Sequence, residues 1–220
     1  MREQTKFIGT VAYMGGIPSV PTPFLDSWTQ FLVYNGKHLG PIFYYNPDKT
    51  SFHAQARNQI VDKAKGDWIL MLDTDNKFAP DILHRMLKRM EHHELDVLVG
   101  YYQFKSRPHS PVIFNWDEQT GVPNRVIEMQ AFPFDQFFYS KIQVAGAGCL
   151  LVKLSVYERI ISELKQNPFD IIPPLGEDFS FFKRLKDLNI EAFCDPAIHV
   201  EHLRWQGTIP PEYNAAEYYG

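Results

Sequence analysis

The stretch DWILMLDTDNKF, residues 67–78, runs an apolar segment straight into two carboxylates, Asp73 and Asp75, with only Thr74 between them. Two acids leaving a strand at i and i+2 repel each other unless something positive lies between them. Such a pair can offer oxygens to a hard divalent cation, Mn²⁺ or Mg²⁺, which keeps waters and takes further ligands from a substrate's phosphates. The plain alternative is a solvated Asp-Thr-Asp turn, the commoner outcome for this tripeptide alone. An EF-hand loop would need a glycine where Phe78 stands. A phosphohydrolase using Asp73 as nucleophile would want Thr or Val in place of Lys77.

A second acid site lies in LGEDFSFFKRL, where Glu177 and Asp178 open a helical pattern. The N-terminal end of a helix favours an ionised carboxylate there. Such a group can take the proton of an incoming hydroxyl as a general base. First-turn charge is the ordinary role of a single acid, and the presence of the other acid site is what gives the base reading weight. DPAIHVEHLRW holds His199 and His202, and its Asp195-Pro196 and β-branched residues read as extended chain. On a strand, residues three apart face opposite sides, so at most one of the two joins a site. Arg204 and Trp205 could serve a phosphate and a ring, or merely pack. Arg107, in FKSRPHSPVI, puts a guanidinium after a strand, for a phosphate or for a salt bridge. Gly146 and Gly148, in AGAGC, allow close backbone approach by a ligand, or a tight turn.

The elements that must position these residues follow from pattern. KFIGTVAYM (6–14) is a buried first strand, residues 26–34 a helix, and GPIFYYNP a second strand. SFHAQARNQIVDKAKG reads as a helix capped by Ser51 and ended by Gly66. The opening stretch supplies the third strand. Ile82, Leu83, Met86, Leu87 and Met90 then recur at helical spacing behind Pro80, and LDVLVGYYQF is a fourth strand. This alternation predicts a parallel, doubly wound sheet, which binds ligands at the carboxyl ends of its strands, where Asp73 and Asp75 fall. The second half predicts shorter strands, some antiparallel, in PVIFNW, NRVIEM and VAGAGCLLV. Helices follow at Leu154–Leu164 spacing and after GED, then a last strand in IEAFCDP.

The 220 residues suit one domain with a full core. A formal charge of −4 and no basic block argue against a domain that grips nucleic acid by phosphate neutralisation. No apolar run approaches the roughly 20 residues that span a bilayer, so no transmembrane segment is expected. MREQTKFIGT lacks the apolar core of a signal peptide, and Cys149 and Cys194 read as buried thiols. Together these lead to a cytoplasmic expectation.

Taken in order, ARN at residues 56–58, GDWILMLDTD, Arg107-Pro108, GAGCLLVK, GEDFSFFKRLKDLNI and a closing D-x-x-x-x-V-x-H form a series. It resembles the small single-domain nucleotide-sugar glycosyltransferases of the GT-A fold, from about residue 6 to His202. The resemblance implies an α/β, Rossmann-like three-layer fold with a mostly parallel central sheet and a smaller antiparallel part in the second half. It implies a nucleotide-binding half at about 1–100 and an acceptor-side half at about 101–205, while residues 206–220, polar and proline-containing, read as a mobile tail. Asp75 is then the main cation ligand with His202, Asp73 a ribose or metal contact, and Mn²⁺ or Mg²⁺ the cofactor. Asp178 falls at the catalytic base of inverting members, with Glu177 as the less favoured candidate. Tyr13, Arg57, Arg107 and Gly148 fall among donor-binding residues. The expected reaction moves one sugar from a UDP- or GDP-type donor to a hydroxyl. The acceptor stays open among a glycan, a glycoprotein, a lipid-linked sugar and a modified nucleobase. A catalytically inactive nucleotide-sugar or carbohydrate-binding module on the same fold is the alternative.

Overall fold

The structure is a computed structural model that describes residues 6–14, 20–47, 52–106, 109–126, 140–204 and 207–208. In the first half, β1 (Gly9–Tyr13), α1 (Thr22–His38), β2 (Ile42–Tyr45), α2 (His53–Lys63), β3 (Trp68–Leu72), β4 (Asn76–Phe78), α3 (Ile82–His92) and β5 (Val97–Tyr101) succeed one another. The second half adds β6 (Ile113–Trp116), β7 (Pro123–Arg125), β8 (Ser140–Ile142), β9 (Val144–Ala145) and β10 (Cys149–Lys153). After these come α4 (Leu154–Arg159), α5 (Glu177–Asp187), β11 (Ala192–Arg204) and β12 (Gly207–Thr208). The helix expected around Tyr157 continues past α4 as a π-helical stretch, Ile160–Leu164.

Side-chain alternation along the central strands decides the layering. Ile69 and Met71 of β3, Val97 and Val99 of β5, and Leu150 and Val152 of β10 face one way, onto α2, α4 and α5. Trp68, Leu70 and Leu72, with Leu98 and Leu151, face the other way onto α1 and α3. The result is an α/β three-layer molecule with the sheet buried on both faces.

The main sheet runs β12-β11-β5-β10-β3-β1-β2. β1 pairs in parallel with β2 and β3, and β11 pairs in parallel with β5. The uniform parallel pairing expected over the first hundred residues is interrupted, because β10 inserts between β3 and β5, antiparallel to both. Its Leu150, Leu151 and Val152 are wholly buried, and a strand apolar on both faces is stable only inside the sheet. A smaller antiparallel sheet, β7-β6-β9, carries α5, with Phe179 edge-on to Phe114 at 4.6 Å.

Local details differ from expectation. The residue preceding α2 is Phe52, with no side-chain cap, and Ser51 lies outside the described residues. α2 ends at Lys63, ahead of Gly66. Gly66 instead turns the chain into β3 at φ +85°, where a Cβ would sit 2.3 Å from the Gly9 nitrogen. The segment beyond 205 begins as β12, hydrogen-bonded back onto β11, and residues 209–220 lie outside the description. Among the described residues no helix is long and apolar enough to cross a membrane.

Candidate active site

The Asp73–Thr74–Asp75 turn is tied at both ends to one atom. The Gly148 carbonyl accepts the Asp73 backbone N–H at 2.9 Å and the Asn76 side-chain amide at 2.8 Å. β4 then pairs antiparallel with β11, so that Asn76 stands opposite His202. The Leu203 N–H donates to the Asp75 carbonyl at 2.7 Å. This pairing brings His202 Nε2 to 3.5 Å from Asp75 Oδ2. His199 lies against Tyr101, with ring centres 5.8 Å apart, and so takes the other side as strand geometry requires.

The proton on His202 can be placed by its partner. Nδ1 is 2.8 Å from the Gln103 backbone oxygen, which only accepts, so Nδ1 carries a hydrogen. In the charged ring Nε2–H then donates to Asp75, and in the neutral ring its lone pair faces the carboxylate and calls for a positive charge. Lys105 brings one to the carboxylate, its Nζ 2.5 Å from the same Oδ2. Burial works against ionisation of Asp75, but His202 and Lys105 outweigh it and hold the carboxyl at about 2. One carboxylate oxygen and one imidazole nitrogen fit a Mn²⁺ or Mg²⁺ ion that draws its other ligands from water and phosphate. Among the described residues no group of three or more His, Cys, Asp or Glu side chains is placed to hold an ion. A cation here would take its remaining ligands from water and from the oxygens of a bound ligand.

Arg57 links this site to the second acid pair. It is 2% exposed, so it sits beneath the site and not on its surface. Nη2 donates to Asp73 Oδ1 at 3.0 Å and Nη1 to the Ala147 carbonyl at 3.2 Å. Nε, which has no hydrogen-bond partner among the described residues, lies 3.7 Å from Glu177 Oε1. Burial opposes the guanidinium charge, yet Asp73, Glu177 and Asp178 more than restore it. Arg57 thus holds the two acid sites at a fixed separation, and one oxygen of Asp73 is committed to it.

The two acids at the start of α5 have opposite environments. His53 Nδ1, 3.5 Å from Glu177 Oε1, and Arg57 hold Glu177 below the usual carboxylate range against the effect of burial. Asp178 is half-buried, and burial together with the Glu177 charge pushes it up to about 6. Neighbouring groups that drive two carboxylates apart mark the higher one as the better base. Catalysis by ionised Asp178 predicts that kcat/KM is flat above neutrality and falls about tenfold per pH unit below about 6. A pH–rate profile flat down to 4.5 would exclude Asp178 as the group whose ionisation limits the rate. Asp75, held at about 2, cannot generate that limb.

Of the other residues singled out by sequence, Tyr13 ends β1 at the same sheet edge and packs edge-on to Trp28 at 4.9 Å. Arg107 lies outside the described residues. At Gly146 and Gly148 the close approach comes from the protein itself. A Cβ on Gly146 would stand 2.2 Å from the Tyr102 hydroxyl, and one on Gly148 would stand 3.0 Å from it and from Asn76 Nδ2. The Tyr102 hydroxyl accepts the Gly148 N–H at 3.0 Å, so it cannot retreat freely. Gly146→Ala should cost about 1–3 kcal/mol through overpacking, read as a lower denaturant midpoint; an unchanged midpoint would mean that Tyr102 yields easily. Sequence reading missed Asn76, Tyr102, His53 and Lys105. Lys105 stood two residues from Arg107 in a segment already quoted, and its partner became visible only once β5 had been placed beside β11.

Residues 29–171 match the family described as Glycosyl transferase family 2. That span takes in the Asp73–Asp75 turn and Arg57, and stops short of Asp178 and His202. The uncharacterized glycosyltransferase YwdF of Bacillus subtilis (strain 168) is 41% identical over 51 residues, 23% of this chain. The match spans about a fifth, 19%, of that relative's length. Among solved structures, the A197 protein from STIV superposes with a TM-score of 0.63 at 20% identity, covering 92% of this chain and 90% of that one. GalNAc-T7, solved with UDP, GalNAc and Mn²⁺, superposes at 0.56 and 10% identity, covering 92% of this chain and 44% of the other. At those identities the two structures speak for the fold alone. The family match covers well over half of the chain, and with it the chain belongs to glycosyl transferase family 2.

Proposed function

We propose that this chain transfers a single sugar from a nucleoside-diphosphate donor to an acceptor hydroxyl, with inversion at the anomeric carbon. The observation that carries the reading is the opposition of Asp75 and His202 across β4 and β11, with Asp178 brought near through Arg57. The donor diphosphate lies over the Asp75–His202 edge, and the free oxygen of Asp73 accepts a ribose hydroxyl. A Mn²⁺ or Mg²⁺ ion held by Asp75 and His202, with the diphosphate oxygens, would neutralise the charge that grows on the leaving phosphate. Asp178 takes the proton of the acceptor hydroxyl as its oxygen bonds to the anomeric carbon. The bond from that carbon to the β-phosphate oxygen breaks at the same time, and the nucleoside diphosphate leaves with the electron pair. No bond to the protein is needed.

The half at about 1–100 holds the donor, and that at about 101–205 meets the acceptor. Cys149 and Cys194, both buried and free, fit the reducing setting of the cytoplasm. The presence of UDP and Mn²⁺ in the GalNAc-T7 structure makes UDP-sugars the first donors to try. The test is release of nucleoside diphosphate from a panel of UDP- and GDP-sugars with Mn²⁺, first into water and then with acceptor sugars. Slow release from one donor, quickened by an acceptor and stopped by EDTA, is expected. No release from any donor would count against the proposal.

A further inference from the structure

We infer that Lys105 is a built-in competitor for the cation at Asp75, and that the ion settles there only as the lysine moves to the donor's diphosphate. This rests on the metal-dependent donor reading given above. The Lys105 ammonium and His202 Nε2 converge on the same Asp75 oxygen, at 2.5 and 3.5 Å. A divalent ion held by Asp75 and His202 would compete for the oxygen that faces the ring, and its charge would repel the ammonium already there. Among the described residues, Arg57 is engaged with Asp73 and Lys77 with Glu201 at 3.1 Å.

One short segment attends to both ligands. Tyr102 stands edge-on to the His202 ring at 5.5 Å, the Gln103 carbonyl fixes the His202 tautomer, and Lys105 covers Asp75. The first two are buried and preset the histidine. Lys105 and Asp75 are 42% and 41% exposed, so their pair is worth little and the long side chain can swing away. An ammonium released beside a diphosphate finds a stronger partner in a phosphate oxygen. The consequence is mutual dependence, in which cation alone binds poorly and cation with donor binds well.

Lys105→Met tests this in the full chain. Free Mn²⁺ is followed by electron paramagnetic resonance as protein is added without nucleotide, and UDP and GDP are then titrated at saturating Mn²⁺. The variant should bind Mn²⁺ alone about threefold or more tightly than the native chain. Its nucleotide affinity in Mn²⁺ should fall about tenfold, for loss of a charged hydrogen bond. Lys105→Arg, which keeps the charge, should resemble the native chain in the Mn²⁺ titration. Equal Mn²⁺ affinity of native chain and Lys105→Met overturns the inference and leaves the metal reading standing. No Mn²⁺ binding by either, with UDP or GDP bound equally well in EDTA, overturns both.

Discussion

Asp178→Asn should bind nucleotide sugar as tightly as the native chain and transfer it roughly 10² to 10⁴ times more slowly, the range a positioned general base contributes. The side chain is nearly isosteric, and its Oδ1 can still accept the Phe179 N–H that it holds at 2.8 Å. Folding should therefore be intact, which a melting curve would verify. The residual activity should lose the acidic limb near pH 6 that ionised Asp178 creates. The companion variant separates the two acids of α5. Glu177→Gln removes the charge that helps raise Asp178, so its acidic limb should move to lower pH while its plateau rate stays within about tenfold of native. If Glu177→Gln were the dead enzyme and Asp178→Asn the active one, the base would be reassigned to Glu177.

Asp75→Asn should remove the metal-dependent part of donor binding. An amide oxygen carries no full charge, and the loss expected is about 100-fold or more in Mn²⁺, larger than that for groups which merely support a ligand. In EDTA the native and variant chains should bind nucleotide alike, which assigns the loss to the ion and not to a damaged pocket. Asp75 is 41% exposed, so global stability should barely change. His202→Gln should fall between the two, because the carboxylate persists. Equal affinities of native chain and Asp75→Asn at saturating Mn²⁺ would place the cation elsewhere or do away with it.

Much of the molecule could be read from one-dimensional pattern because its determinants are local. The alternation of strand and helix, the apolar stripe of α3 and the run WILML each carry their own periodicity. The juxtaposition of Asp75 with His202 was implied by the family resemblance, and β4–β11 pairing supplies its physical cause. What escaped was set by contacts far apart in sequence. The place of β10 depends on which two strands leave a gap, and nothing within CLLVK states it. Arg57, expected to face a donor, is buried because Asp73, Ala147 and Glu177, from three separate segments, close around it. Gly146 and Gly148 gave a true signal of close approach, while the approaching group, the Tyr102 hydroxyl, lay over 40 residues away.

The claim on which the rest depends is that the edge formed by Asp75 and His202 holds a nucleoside diphosphate through a divalent cation. Calorimetric titration of the native chain with UDP and with GDP, in Mn²⁺ and again in EDTA, tests it most directly. Saturable binding of one of the two in Mn²⁺, weakened about 100-fold or more by EDTA, is the predicted result. Binding of neither, or binding that EDTA leaves unchanged, would contradict it.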